Sequence, residues 1–240
     1  MKKNVIIYGA SSLISLELIK LLNQDISKFF LFCRDKNKIE NFLLDNNFEK
    51  EKFSIFEVDI LDIKKNLELI NQMKNIDGVI WVAGFSGNTD EELKSMELAK
   101  KNIKINFLNP MLIINKTLTK MTLSTESFLV IITSVAALRG RGKNLIYGSA
   151  KSALLTYLSG LRQKYNQRLT VVSVIPGYIR TKNFKIKAPN FLICEPSHLA
   201  RKIVKAIKYK HEIIYSSFAW KIIMMVIKFI PEKIFKKFNF

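Results

Sequence analysis

Seven short apolar runs, dense in β-branched and aromatic residues, recur along the chain and are separated by longer stretches of helical period. The runs read NVIIY, KFFLFC, FSIFEV, DGVIWVA, FLVIIT, LTVVSVI and EIIY. Helical patterns fill residues 12–23, 36–46, 62–73, about 90–122, 147 to about 165 and 196 to about 209. Strands that are apolar on both faces and alternate with helices predict a parallel sheet, because right-handed crossovers place helices over both of its faces. The expectation is a three-layer, doubly wound α/β fold in one domain over residues 1–217. After Ser217 the character changes, and FAWKIIMMVIKFIPEKIFKKFNF predicts an amphipathic helical extension over 218–240.

Hydrophobic residues make up 48% of the 240, and Gly and Pro together are scarce, which is enough for a substantial single core. Cys33 and Cys194 are far apart and lack metal-ligand spacing, so neither a disulfide framework nor a metal site is expected, and a reducing compartment fits best. The opening MKK and the apolar residues after it imitate a secretory leader. Glu17 and Lys20 interrupt the run, and no stretch reaches the ~18 apolar residues of a spanning helix. A cytoplasmic protein is the expectation.

The formal net charge is +19, in a composition rich in Lys, Ile, Asn and Phe, so the distribution of charge says more than the total. Between Glu126 and Glu195 there is no acidic residue, while Arg139, Arg141, Lys143, Lys151, Arg162, Lys164, Arg168, Arg180, Lys182, Lys185 and Lys187 fall inside that window. An anionic partner is implied there. Zinc-finger, basic-zipper and RNA-recognition signatures are absent, so nucleic acid is not the expected partner.

Residues 8–15 read YGASSLIS, between the first strand and first helix. In an open α/β sheet this turn presents backbone N–H groups at a helix N-terminus to an anion, and glycine lets the anion approach. Gly9 is the only glycine here, and Ser11 and Ser12 can cap the helix or donate to a phosphate. Downstream, YGSAK places Tyr147 and Lys151 four residues apart, on one face of a helix. Thirteen residues before the tyrosine, Ser134 ends the strand FLVIIT, at the carboxyl edge where such sheets bind ligands. His198 and His211 suggest no role.

With these residues in this order, the chain resembles the short-chain dehydrogenase/reductase family over nearly its whole length. The resemblance implies a Rossmann-type fold and a catalytic set of Ser134, Tyr147, Lys151 and Asn106, the last in KINFLNP. It also implies that Asp59 and Ile60 in VDI contact adenine, and that Ala83 and Gly84 in WVAG are the remnant of an Asn-Asn-Ala-Gly motif. Pro176, Gly177 and Thr181 in PGYIRT would line the nicotinamide side. The phosphate turn would be Gly9, Ser11, Ser12, Leu13 and Ile14. Here Leu13 and Ser15 replace two of the family's three glycines, so a narrowed approach to the diphosphate and a helix held slightly off its strand are expected. Where NAD enzymes carry an acid after the second strand, this chain has Cys33 and then Arg34, whose planar guanidinium suits a 2′-phosphate. NADP is therefore expected over NAD, with Asp35 capping the next helix.

The resemblance further implies hydride transfer between a nicotinamide and a carbonyl, with Tyr147 as proton donor and Lys151 as the cation that draws its pKa down. Residues 201–240 hold ten Lys/Arg and two Glu, interleaved with apolar residues that suit an anionic membrane interface. The tail is similar to that of the family's subgroup of decaprenylphosphoryl-2-keto-ribose reductases, which implies a keto sugar carried on a polyprenyl phosphate, in cell-envelope polysaccharide synthesis at the inner membrane face. A soluble carbonyl or 3-oxoacyl reductase, with the tail as a dimer or lid element, and a non-catalytic nucleotide-sensing or scaffold protein are the alternatives. A homo-oligomer, paired through helices 90–122 and 147–165, is expected by analogy.

Overall fold

The computed structural model describes residues 3–181 and 187–238. Lys182 and Lys185 of the basic window, and the last two residues of the tail, lie outside the described residues. Strands β1 (Lys3–Tyr8), β2 (Ile26–Cys33), β3 (Phe53–Glu57), β4 (Gly78–Trp81), β5 (Phe128–Ile132), β6 (Thr170–Ile175) and β9 (Ile213–Tyr215) form one sheet, ordered β3-β2-β1-β4-β5-β6-β9. Every pairing is parallel. The seven apolar runs are these seven strands. The chain reverses its direction of growth between β1 and β4, and there the carboxyl ends of the strands open a crevice.

Helices α1 (Leu13–Leu22), α2 (Lys36–Asp45) and α8 (Pro196–Tyr209) cover one face; α3 (Ile63–Gln72), α6 (Asn109–Leu118) and α7 (Leu145–Lys164) cover the other. Alternate residues of each strand feed opposite cores: Val5 and Ile7 face the first, Ile6 and Tyr8 the second, all four buried. On the second face a ladder of rings crosses four strands at their carboxyl ends. Tyr8 stacks on Phe32 at 4.3 Å and on Trp81 at 4.2 Å, and Phe32 stacks on Phe56 at 5.0 Å.

Two expected elements differ in detail. The single helix over 90–122 is divided into α4 (Thr89–Lys94), α5 (Met96–Ile103), a π-helical turn (Lys104–Leu108) and α6. Ser95 is extended and caps α5 through its side chain. Pro110 has no N–H to give the carbonyl of Asn106, so the ladder widens at that point and the Asn109 N–H bonds Lys104 instead. The stretch after β6, to which the sequence pattern assigns neither strand nor helix, pairs β7 (Tyr178–Ile179) with β8 (Ile193–Cys194).

The tail folds as α9 (Phe218–Phe229) and the short α10 (Glu232–Phe235). Its inner face is part of the body. Trp220 and Met224 are buried against Val135 and Ile175, and the Trp220 indole N–H donates to the Leu192 carbonyl at 2.8 Å. A Cβ on Gly177 would stand 2.0 Å from the Trp220 ring, so only glycine lets this loop pass under the indole. Arg139 fixes the far end, with hydrogen bonds to the Ile230 carbonyl (3.1 Å) and the Glu232 carboxylate (2.6 Å) while lying 4.5 Å from the Phe235 ring centroid.

Candidate active site

The turn after β1 works with one glycine because its other demands are met differently. Gly9 has φ +77°, and a Cβ there would stand 2.8 Å from the Ala83 backbone nitrogen. The N–H groups of Gly9 and Ala10 both donate to the Phe32 carbonyl at 3.0 Å. Ser12 caps α1 by accepting from the Ser15 N–H, and its hydroxyl donates to the Ser15 hydroxyl, which donates in turn to the Gly9 carbonyl at 2.8 Å. Ser15 is fully buried, so it ties the helix start to the turn rather than holding it away, contrary to the sequence expectation. The Ser12 hydroxyl therefore serves the turn itself.

Above this turn lies a cleft of about 340 Å³. Gly9, Ser11, Ser12, Cys33, Arg34, Asp59, Ile60, Ala83 and Gly84 all line it, as do Tyr8, Phe85 and Lys101, which the sequence did not single out. Leu13 and Ile14 do not line it; Ile14 packs instead against the core beneath α1 and α8. At the β2 end Arg34 is exposed, Asp35 caps α2 by accepting from the Lys38 N–H, and the Lys38 ammonium bonds the Ser11 carbonyl. Two cations thus flank the turn. Lys38 escaped notice because nothing in its spacing separates it from Lys36 on the same helix. The Asp59 carboxylate accepts from the Leu61 N–H at 2.8 Å, and burial pushes the Cys33 thiol up to about 11.

The cleft floor ends at Gly84, where a Cβ would lie 3.2 Å from both the Asn106 Oδ1 and the Lys151 Nζ. Asn106 is buried on the π-helical turn and clamps the neighbouring backbone at two points: its Nδ2 donates to the Phe85 carbonyl (2.6 Å) and its Oδ1 accepts from the Phe85 N–H (3.1 Å). The same Nδ2 reaches the Asn102 Oδ1, and Asn102 donates to the buried Glu92 carboxylate, extending a polar chain inward.

Lys151 is buried on α7, and its ammonium donates to the Ile132 carbonyl at 3.2 Å, 5.9 Å from the Tyr147 ring centroid. Burial draws its pKa from 10.5 down to about 8. Tyr147 is half-buried one turn earlier. Burial, the largest effect, raises its pKa, whereas hydrogen bonding with Ser134 and the nearby Arg141 guanidinium pull it back down. Arg141, a residue the sequence placed only in the basic window, is thus a second cation acting on the phenol beside the Lys151 ammonium. Ser134 follows β5, and its hydroxyl accepts from the Ala136 N–H at 3.1 Å. A Cβ on Gly148 would be 3.0 Å from the Ala136 carbonyl, so α7 starts tight against this loop. Ser134 and Lys151 both lie next to Tyr147.

Pro176, Gly177 and Thr181 sit beyond β6 and outside the cleft. The Pro176 carbonyl accepts from the Val135 N–H, the Gly177 N–H donates to the Ser216 hydroxyl, and Thr181 is exposed.

A family model described as short chain dehydrogenase matches residues 3–190. Among solved structures, a short chain dehydrogenase from Burkholderia cenocepacia J2315 in complex with NADP superposes with a TM-score of 0.81 at 16% identity, covering 98% of this chain and 97% of that one. A short-chain dehydrogenase/reductase, described as glucose/ribitol dehydrogenase, from Brucella melitensis gives 0.77 at 18% identity over 90% of this chain and 98% of the other. ElxO with NADP bound gives 0.76 at 20% identity, covering 92% and 99%.

Proposed function

The chain belongs to the short-chain dehydrogenase/reductase family of oxidoreductases, and on that premise we propose that it is an NADPH-dependent reductase of a keto sugar carried on an anionic, lipid-linked phosphate. The observation that carries the reading is the meeting of Ser134, Tyr147 and Lys151 at the sheet edge beside the cleft between β1 and β4.

The cleft suits a dinucleotide. Its turn needs glycine at Gly9 because Ala83 leaves no space for a Cβ, Ser11 and Ser12 at the start of α1 line it, and Arg34 on its wall, with Lys38 against the Ser11 carbonyl, offers positive charge for an adenosine 2′-phosphate. NADP- and NADPH-bound members of the fold support this choice. When bound, NADPH supplies a hydride to the carbonyl carbon. Tyr147 gives its proton to the carbonyl oxygen, which Ser134 holds by a hydrogen bond, so the product is the alcohol and the phenolate regains its proton from solvent. Lys151 keeps a positive charge 5.9 Å from the Tyr147 ring, and Asn106 holds the Phe85 backbone next to Gly84, which lies between the cleft and the lysine.

NADPH oxidation with a panel of keto sugars and 3-oxoacyl compounds tests the reading. Turnover of the keto sugars supports it, and turnover of the 3-oxoacyl compounds alone would replace it with the soluble-reductase alternative. Substituting Arg34→Ser is expected to weaken NADPH binding about 10- to 100-fold and to leave NADH nearly unaffected, since only the former loses a charge-assisted pair. Titration of the cofactor by fluorescence measures both; equal losses would separate Arg34 from cofactor choice.

The membrane part of the proposal rests on the outer face of the tail. Met225, Val226, Phe229, Ile230, Pro231 and Ile234 border an open apolar hollow of about 650 Å³, with Lys221, Lys228, Lys233, Lys236 and Lys237 on the same segment. No helix of the described residues is long and apolar enough to cross a bilayer, so contact would be interfacial. Deleting 218–240 would strip Trp220 and Met224 from the body, so the test keeps the tail. The triple change Met225→Ser, Val226→Ser, Phe229→Ser is expected to abolish flotation with vesicles containing phosphatidylglycerol while the melting temperature stays near wild type. Unchanged flotation would leave this face to pairing between copies, which the same reading otherwise assigns to α5, α6 and α7.

A further inference from the structure

One buried donor near the phenol is without a partner. Arg141 lies between Gly140 and Gly142, and its backbone carbonyl accepts from the Asn144 N–H just before α7 begins. Its Nε is buried and makes no hydrogen bond among the described residues. The guanidinium interacts electrostatically with the hydroxyls of Tyr147 and Tyr178, and among the described residues no carboxylate pairs with it. The first acids on either side in sequence are Glu126 and Glu195, and their ion pairs are with Lys3 and Lys210, and with Arg180.

A half-buried guanidinium with an unmet N–H costs free energy unless an oxyanion meets it, and its planar fork matches phosphate and carboxylate oxygens in two-point contact. The neighbouring Arg139 is occupied by the tail, through Glu232 and the Ile230 carbonyl. Lys143 is exposed, and its carbonyl accepts from the Thr89 hydroxyl, which fixes this loop against α4. The loop is therefore held, and Arg141, with its buried unmet Nε, is the cation in it that acts on the Tyr147 hydroxyl.

We propose that Arg141 binds an oxyanion, phosphoryl or carboxylate, carried by the substrate close to the carbonyl that Tyr147 protonates. This rests on the reductase reading and assigns its substrate specificity to one residue. An anion held there would also shield the phenol from Arg141, so the proton stays on Tyr147 until the carbonyl oxygen develops charge.

Three small keto compounds of the same skeleton serve as probes: dihydroxyacetone, dihydroxyacetone phosphate and hydroxypyruvate. Their binding to wild type, Arg141→Met, Arg141→Lys and the control Lys143→Met, each loaded with NADP+, which cannot reduce them, is read by saturation-transfer NMR independently of turnover. The expected result is that wild type and Lys143→Met prefer at least one charged probe over dihydroxyacetone by about 10-fold or more. That preference should disappear in Arg141→Met and be partly kept in Arg141→Lys, which retains charge but not the fork. Which charged probe is preferred distinguishes phosphoryl from carboxylate. A preference that survives in Arg141→Met, or none in wild type, overturns the proposal. Where a probe is reduced, kcat/KM ratios give a second measure of the same selectivity. Failure of the reductase reading has a separate signature: no NADPH oxidation with any compound, whatever the binding preferences.

Discussion

Replacing Tyr147 with Phe is expected to lower kcat for carbonyl reduction by about 10²- to 10⁴-fold, the range that a positioned proton donor contributes. The ring stays, and with it the packing at the start of α7; only the hydroxyl shared with Ser134 is lost. The hydride would then arrive at a carbon whose oxygen has no proton source, and the forming alkoxide would have to be met by water in a half-buried site. Stopped-flow oxidation of NADPH with the best substrate of the panel measures the effect, and near-UV circular dichroism confirms the fold. A phenylalanine protein with wild-type kcat would remove the phenol from the chemistry.

Lys151→Met is expected to move activity and stability in opposite directions. In the folded chain burial holds the ammonium near pKa 8, against about 10.5 for an exposed lysine, so the folded state binds this proton more weakly than the unfolded state. The sign follows: the cost of the buried charge is fully present below about pH 8 and fades as pH rises from there towards 10.5. At about 1.36 kcal/mol per unit, the depression is worth on the order of 3 kcal/mol, less the hydrogen bond to Ile132 that the methionine gives up. Urea unfolding at pH 6.5 should therefore find the methionine protein about 1–3 kcal/mol more stable than wild type, with the gap closing towards pH 10, while carbonyl reduction is reduced by orders of magnitude. Wild-type reduction should also decline above about pH 8, as the ammonium loses its proton, an inflection the methionine protein cannot show. Lower stability of Lys151→Met at pH 6.5 would indicate that the ammonium is held by more than the Ile132 carbonyl.

The strands were legible because each is a short apolar run, β-branched or aromatic, bounded by helical period, and burial on both faces favours that pattern most strongly in the central strands β1, β4, β5 and β6. Ser134, Tyr147 and Lys151 were legible because their chemistry depends on spacing within one helix and on one strand end. What the sequence hid depends on contacts between distant segments or on backbone hydrogen bonds. The π-helical turn at Lys104–Leu108 keeps an apolar rhythm through its break, so periodicity passes over it. The substitution at Ser15 reads as damage in a motif, yet its hydroxyl closes onto Gly9. The β7–β8 pair has two residues on each side and carries no pattern at all. Arg139 and Arg141 stand two apart in one glycine-rich stretch, yet one holds the tail and the other faces the phenol; only the fold separates them.

The chain has two tryptophans, and the architecture puts them in separate neighbourhoods. Trp81 is stacked on Tyr8, whose ring forms part of the cleft wall, and Trp220 is wedged over Gly177 under the tail. Each indole is thus a spectroscopic witness to a different event, one to occupation of the cleft and the other to any loosening of α9. Emission from the two single-tryptophan proteins, Trp81→Phe and Trp220→Phe, would reveal which event comes first when cofactor and vesicles are supplied together.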